Sequence, residues 1–568
     1  MKRAAVLAVA ALGACCGLWY WLARGQPVAL PDVPGERVPC VSYAPFHRPG
    51  QSPFVKGLVV SPAQIDADLA ALARRTSCVR TYSVDQGLDA VPRLARKHGM
   101  RVLLGLWIGR DDAENAREIA RGLEVIGRDA DAIDAVIVGN EVLLRRELPP
   151  AALRAYIDRV RGATRLPVTY ADVWEFWLRH RELADAVSFV TVHLLPYWED
   201  DPVPIGRAVE HVLRIHAAVR AAFPGKEILI GEAGWPSRGR QREGAVPSLV
   251  NQARFVRSLA ESAAAHGLRY NVIEGFDQPW KRRLEGTVGG SWGLLDAAER
   301  DKFPLRGPVV EDAGWMRGVI ASGIGAVLFA LLGLVMRPRA RLAGIGLLAL
   351  LGAGAGAALS AQLDALAAAS RNALEWSIGG ALTVAAVVAA LAAAGGLARW
   401  LGGGTPPRPA SAAAVVAWLK TDAAAWSTAE RLLGALRFAL LFAAAATALA
   451  LVFDPRYRDF PLALFAPPAV ALALLAWSRP SDPEIEERML AGVLVVAAPL
   501  IVLREGVANV EALAWSGLCL ALAASVRRSR RGRSREDEHP EEATDRAGPR
   551  GVERESGRAQ AGGGERPG

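Results

Sequence analysis

The apolar stretches between residues 313 and 526 constrain this chain more than any other feature. They fall near 315–336, 342–359, 377–398, 432–453, 460–477, 489–503 and 510–526. About 20 consecutive apolar residues cross a bilayer as a helix, because a helix satisfies its own backbone where water is absent. An eighth stretch, residues 4–23, follows Lys2 and Arg3 and carries Trp19, Tyr20 and Trp21 near its far end, as an interfacial belt would. Residues 1–24 are therefore expected to be an uncleaved membrane anchor. The box Leu12-Gly13-Ala14-Cys15 leaves a lipid-bearing Cys15 or a cleaved signal as alternatives, but the sequence stays apolar beyond Cys15.

Eight crossings place both ends on one side. Arg337, Arg339 and Arg341, the segment 399–431, and Arg527, Arg528, Arg530, Arg531, Arg533 and Arg535 mark that side as cytoplasmic. Arg456 and Arg458 lie in a short loop expected to face outward and are an exception to the asymmetry. Residues 25–312 would then stand outside the membrane. Residues 527–568 are rich in Arg, Glu and Gly and too poor in large apolar residues to fold, so they are expected to be a disordered charged tail. The net charge of +9 does not point to nucleic acid, because the basic cluster sits behind an apolar segment and no binding module accompanies it. The lipid bilayer is the expected partner.

Residues 25–312 have a different rhythm. Short β-rich runs at 38–43, 78–82, 101–107, 135–141, 167–172, 188–193, 227–232 and 270–276 alternate with helical patterns, for example at 62–75, 89–98 and 249–265. Most runs are almost continuously apolar, as strands covered on both faces are. Strand–helix alternation means a parallel sheet. Eight units predict an α/β fold, a (β/α)8 TIM barrel, followed by the α-helical multi-span membrane domain.

Such a barrel builds its site at the C-terminal ends of its strands. Those positions hold Tyr43, Tyr82, Trp107, Asn140-Glu141, Asp172 with Trp174, His193 with Tyr197, Trp198 and Glu199, Glu232 with Trp235, and Glu274, Asp277, Trp280 and Lys281. Aromatic faces stack on the C–H faces of sugars, while carboxylates and amides bind hydroxyls. The rim therefore reads as a carbohydrate cleft. Cys40 and Cys78 fall in neighbouring predicted strands and are expected to be buried core cysteines, with a bridge open to them in an oxidising compartment. No second His or Cys stands at metal-ligand spacing from His193, so a hydrogen-bonding role in the cleft is expected and neither metal nor cofactor is implied. The run Gly352-Ala353-Gly354-Ala355-Gly356 lies inside an apolar span and suits close helix packing rather than nucleotide binding. Pro467-Pro468 is expected to kink its span, and Asp364, Arg371 and Glu375 to be solvated between spans.

Two motifs deliver glutamates to the rim: Val136-Ile137-Val138-Gly139-Asn140-Glu141 on strand four and Ile228-Leu229-Ile230-Gly231-Glu232-Ala233-Gly234-Trp235-Pro236-Ser237 on strand seven. Glycosidic cleavage needs one protonated carboxyl for the leaving oxygen and a second carboxylate for the oxocarbenium-like centre. Strands four and seven lie nearly opposite, so these two can face each other.

Asn140-Glu141 with Glu232 resembles the large retaining clan of barrel glycosidases. Gly231-Glu232-Ala233-Gly234-Trp235-Pro236-Ser237 resembles the nucleophile signature of glycoside hydrolase family 17, the β-1,3-glucanases. Tyr43-Ala44-Pro45-Phe46, Val79-Arg80-Thr81-Tyr82-Ser83, Gly139-Asn140-Glu141-Val142-Leu143 and Phe276-Asp277-Gln278-Pro279-Trp280-Lys281 resemble a bacterial, membrane-anchored branch of it. The resemblance covers residues 38–304. It implies Glu141 as general acid/base, Glu232 as nucleophile, Asn140 on the sugar 2-hydroxyl, Tyr197 near the nucleophile, and Lys281 and Glu285 as a polar pair. Gln278 departs from it where plant relatives carry an acidic residue, as does Glu-Ala-Gly in the signature.

Tyr43, Tyr82, Trp107, Asp172, Trp235, Glu274 and Trp280 complete the expected β-glucan-binding set. The expected activity is a retaining glycosidase or glucanosyltransferase on β-1,3-glucan, in the periplasm of a bacterial inner-membrane protein with both termini cytoplasmic. The rival expectation is a glucan export module, or a partner of a glucan synthase, whose barrel holds or trims the chain.

Overall fold

A computed structural model describes residues 2–335, 342–421, 427–481 and 483–526. The expectations for the 337–341 loop, the 527–535 arginines and the 527–568 tail lie outside the described residues.

Eight parallel strands close into a barrel in chain order. They are β1 (Val41–Ser42), β2 (Cys78–Arg80), β3 (Arg101–Leu106), β4 (Ile133–Asn140), β5 (Val168–Val173), β6 (Val190–Leu194), β7 (Ile228–Ala233) and β8 (Arg269–Val272). The outward strand side chains, such as Val79, Val102, Val136, Val190 and Ile230, pack under the surrounding helices in one continuous core. Helix starts follow ordinary capping chemistry. Ser61, Asp111 and Ser248 accept backbone N–H groups at the starts of Pro62–Leu72, Asp112–Asp129 and Leu249–His266.

The strands are shorter than their apolar runs. The run expected to reach 276 leaves the sheet at Val272, because later backbone groups bond elsewhere: Glu274 N to Trp292 O at 3.2 Å and Gly275 N to Ser42 O at 2.8 Å. The barrel floor is a small inner layer of Cys40, Cys78, Leu103, Ala135, Ile137, Ala171, Phe189 and Leu229. Cys40 and Cys78 are disulfide-bonded within it, so they are not merely two buried thiols.

The helical region matches the expected stretches and adds Ala412–Thr421, which hydropathy did not single out. Among the described residues, five helices are long and apolar enough to cross a membrane: Lys2–Arg24, Met316–Val335, Leu342–Ala369, Ala373–Leu401 and Thr428–Phe453. Leu462–Ser478 and Val510–Ala524 are shorter apolar helices. Leu462–Ser478 runs through Pro467 and Pro468 as one helix. Glycines let backbones meet: a Cβ on Gly352 would strike the Gly325 carbonyl, and one on Gly356 the Ala321 carbonyl. Asp364 is not a free loop residue; it lies within the helix Leu342–Ala369 and pairs with Arg317 at 2.6 Å. Arg371 and Glu375 pair with each other.

The barrel rests on one face of this bundle. Asp312 N donates to Arg24 O at 3.0 Å. Arg282 Nη1 donates to Ala368 O at 2.8 Å, Arg240 Nη1 to Arg458 O at 2.9 Å, and Asn509 Nδ2 to Gln241 O at 3.0 Å. Arg240 also pairs with buried Glu505.

Candidate active site

A cleft of about 1400 Å³ crosses the C-terminal mouth of the barrel. That exceeds the ~300–1,000 Å³ of a small-molecule pocket and suits an extended ligand. Its floor is a polar layer directly above the apolar one.

Strand alternation turns Cys78 and Arg80 inward and Val79 outward. Arg80 is thus fully buried at the centre of the barrel. Its Nη1 donates to Gly231 O at 3.0 Å and to Glu232 Oε1 at 2.7 Å, and its Nη2 donates to Asn140 Oδ1. With the amide oxygen of Asn140 held this way, its NH2 group is the one available to a ligand. Gly231 is required beside this cluster, since a Cβ there would strike Thr191 Cγ2.

Glu232 is only 5 % exposed. Tyr82 Oη donates to its Oε1 at 2.8 Å. Burial would raise its pKa, but His193, Arg80 and Tyr82 outweigh burial and hold the carboxyl below its ordinary range. Glu141 follows β4 with a left-handed φ of 52°, an uncommon conformation for a non-glycine residue. Its backbone N–H is held by Ala171 O at 2.8 Å. Its side chain is more open, and His193 Nδ1 lies 2.8 Å from its Oε1.

One oxygen of Glu141, one of Glu232 and a ring nitrogen of His193 lie within 4.8 Å of one another. Such a trio can hold a cation, but here the Arg80 guanidinium already supplies positive charge to Glu232. His47, Asp68 and Glu299 also cluster. In that cluster His47 Nδ1 is engaged by Ala297 O at 3.0 Å and Nε2 by Asp68 at 3.1 Å.

Other expected residues reach the cleft too. Trp107 and Trp280 line it with Tyr43, whose hydroxyl donates away to Asp68 at 2.8 Å. Lys281 Nζ donates to Glu274 at 2.9 Å, and Glu285 lines the same wall. Burial pushes Glu274 up to about 7 against the pull of Lys281. Burial also raises Glu285.

Three expected residues do not line the cleft. Asp172 is fully buried and accepts from Tyr170 Oη and from Val173 N at 2.8 Å; it also accepts from Leu144 N at 3.4 Å while Tyr170 Oη accepts from Leu143 N at 3.1 Å, which braces the turn after β4. Tyr197 is fully buried among Trp198, Trp235 and Trp292, and donates to Arg240 O at 2.7 Å. Trp235 is fully buried, with its indole donating to Val246 O at 3.0 Å. The register slips near His193 in β6 and after Ile230 in β7. Beyond those slips simple alternation no longer says which side chain faces the cleft. Arg80 belongs to the Val79–Ser83 motif, and its signal in the sequence is a charge within a buried strand run. Arg456 and Tyr457, from the helical region, also line the cleft.

The structure thus shows an eight-stranded parallel barrel with two glutamates facing each other at the ends of β4 and β7, the pair of carboxylates that glycoside hydrolysis uses. Residues 40–293 match the BtgE/BtgC glycoside hydrolase domain. The chain is 26% identical over 316 residues to the probable glucan endo-1,3-beta-glucosidase btgC of Aspergillus flavus, covering 48% of this chain and 43% of that protein. It is 24% identical over 272 residues to the glucan 1,3-beta-glucosidase of Saccharomyces cerevisiae, covering 44% of this chain and 87% of that one. The match thus spans less than half the length of the Aspergillus relative. Among solved structures, a Rhizomucor miehei beta-1,3-glucanosyltransferase mutant in complex with laminaritriose is similar at TM-score 0.42 and 23% identity, covering 46% of this chain and 94% of that one.

Proposed function

We propose that the barrel is a retaining glycosidase and glucanosyltransferase acting on β-1,3-glucan. The observation that carries this reading is the approach of the Glu141 and Glu232 carboxylate oxygens within 4.8 Å. Carboxyl groups about 5–5.5 Å apart suit a covalent glycosyl-enzyme, whereas about 6.5–9.5 Å leaves room for an inverting water.

The surroundings divide the roles. Glu232, kept ionised by Arg80 and Tyr82, attacks the anomeric carbon. Glu141, open to the cleft, gives its proton to the departing glycosidic oxygen. Glu141 then takes a proton from the hydroxyl that attacks the glycosyl-enzyme and releases Glu232. If that hydroxyl is water the chain is cut; if it belongs to a sugar the glucan is rebuilt. In this reading Asn140 Nδ2 binds the 2-hydroxyl, which the engagement of its Oδ1 by Arg80 supports. The Aspergillus and Saccharomyces relatives are glucan glucosidases by name, which supports the substrate class.

The helical region is read as a membrane domain with the barrel on its outer, periplasmic face. Lys2, Arg3, Arg399, Arg479 and Arg488 lie at helix ends away from the barrel, which the positive-inside rule favours for a cytoplasmic side, although Arg24, Arg317, Arg371 and Arg504 lie at the barrel-side ends. The Cys40–Cys78 bridge suits an oxidising compartment. A tethered barrel suits elongation or branching of a glucan made at the same membrane, so transfer is favoured over digestion.

The trapping test is incubation with a 2-fluoro glucoside followed by peptide mapping. A label on Glu232 is expected; a label elsewhere, with Glu232 unmodified, overturns the assignment. Mass analysis of products from a single laminari-oligosaccharide separates the two outcomes: products longer than the substrate are expected, and shorter ones alone rule out transfer.

A further inference from the structure

One wall of the cleft does not come from the barrel. The chain between Thr428–Phe453 and Leu462–Ser478 folds up against the barrel mouth. Three barrel contacts fix it. Thr287 Oγ1 donates to Asp459 Oδ2 at 2.5 Å, and Arg458 O accepts from Arg240 Nη1 at 2.9 Å. Gly286, at φ 69°, gives way to the Tyr457 carbonyl, which a Cβ there would strike.

Held so, Tyr457 stands edge-on to Trp198, with ring centroids 5.9 Å apart and planes at 73°. Trp198 is itself backed by Trp292, nearly parallel at 19°. The Arg456 guanidinium lies 5.8 Å from the Trp198 ring and 5.7 Å from the Tyr457 ring. Tyr457 is still 40% exposed and faces into the cleft wall.

A half-exposed tyrosine set against a braced tryptophan, with a guanidinium beside both, offers a flat apolar face and donors along one edge. Those are the features a pyranose needs from a binding surface. An aromatic corner that served packing alone would close over Tyr457 rather than leave it open to the cleft.

We propose that Arg456 and Tyr457 of the helical region form, with Trp198, a distal sugar-binding subsite, so that this region sets the length of glucan the cleft grips. The inference rests on the β-glucan reading above. It makes the helical region part of the substrate site as well as an anchor. A chain bound there leaves the cleft along the bundle face.

The test uses the full chain in detergent with a series of laminari-oligosaccharides from short to long. For Tyr457→Ala, KM for the long members should rise roughly tenfold, as loss of one ring contact predicts, and by much less for the shortest. Product lengths should shift as well. Tyr457→Phe keeps the ring and should stay near wild type. Arg458→Ala should match wild type at every length, because its guanidinium turns to Asp454 at 3.0 Å rather than into the cleft. If Tyr457→Ala changes nothing, or changes all lengths equally, the subsite is refuted while the glucanase reading stands. If wild type turns over no laminari-oligosaccharide, both fall.

Discussion

Two buried arginine–glutamate pairs, one in each region, have the same 2.7 Å contact and opposite settings. In the barrel, Arg80 meets Glu232 beneath an open cleft. In the bundle, Arg437 meets Glu487 with neither side chain more than 1% exposed. Arg437 is completed by Ser481 Oγ at 2.8 Å and Ser525 O at 3.3 Å, so that site is sealed. Glu232 instead accepts from Tyr82 and keeps an open side toward Glu141. A buried pair costs desolvation that its mutual attraction only partly offsets. In the bundle the return is a fixed packing of helix ends. In the barrel it is a carboxylate held below its ordinary pKa range at the floor of an open cleft, as the proposed nucleophile needs to be.

The largest test of that contrast removes the charge from the open pair. Glu232→Gln should lower kcat on laminari-oligosaccharides by about 10⁴-fold or more. Glu141→Gln should cost about 10²–10⁴-fold. Much of the Glu141 loss should disappear on an aryl glucoside whose leaving group needs no proton, and the Glu232 loss should not. Equal losses on both substrates would erase the proposed division of roles.

Breaking the sealed pair should act on folding instead. Arg437→Ala strands Glu487 without a partner, a change that costs roughly 3–5 kcal/mol. Thermal unfolding in detergent should show it as a lowered Tm. The fraction that remains folded should keep the wild-type pH profile. A shifted profile would mean that the two pairs are not separate in function.

How much of this was legible in the sequence follows the same division. Glu141 and Glu232 could be placed because each ends an apolar strand, and strand ends map directly onto a barrel rim. The helical stretches were legible because lipid-crossing length and hydropathy are properties of local sequence. Tyr197 and Trp235 were misplaced because they lie beyond irregularities in β6 and β7, where the two-residue period fails. Arg80 needed the knowledge that it points inward. Tyr457 lay beyond reach altogether: it meets Trp198 across 259 residues of chain (457 minus 198), and no local pattern encodes that meeting.

The disulfide gives a smaller effect, again confined to one region. Cys40 and Cys78 close 38 residues of the barrel. Among the described residues Cys15, Cys16 and Cys519 of the helices are unbridged. Reduction should destabilise the barrel by roughly 2–4 kcal/mol through the freer unfolded chain. Calorimetry with and without reductant should move the barrel transition and leave the bundle transition in place. Movement of both would show that the two regions unfold as one unit.

The smallest expected effect says most about the open pair. Arg80 is one of the groups holding Glu232 below its ordinary range, against the burial that would raise it. Glu232 must be ionised to attack, so its pKa in the free enzyme sets the acid limb of kcat/KM. Arg80→Met removes a positive charge and leaves burial less opposed, so the folded-state pKa must rise. The acid limb should therefore move to higher pH, by about one unit if Arg80 contributes ~1.4 kcal/mol. Activity well above that limb should fall less than activity below it. Tyr82→Phe should move the limb the same way by a smaller amount, since it removes one hydrogen bond rather than a charge. An unmoved limb in Arg80→Met would make Arg80 a packing residue like Arg437, and the two buried pairs would differ only in their exposure to solvent.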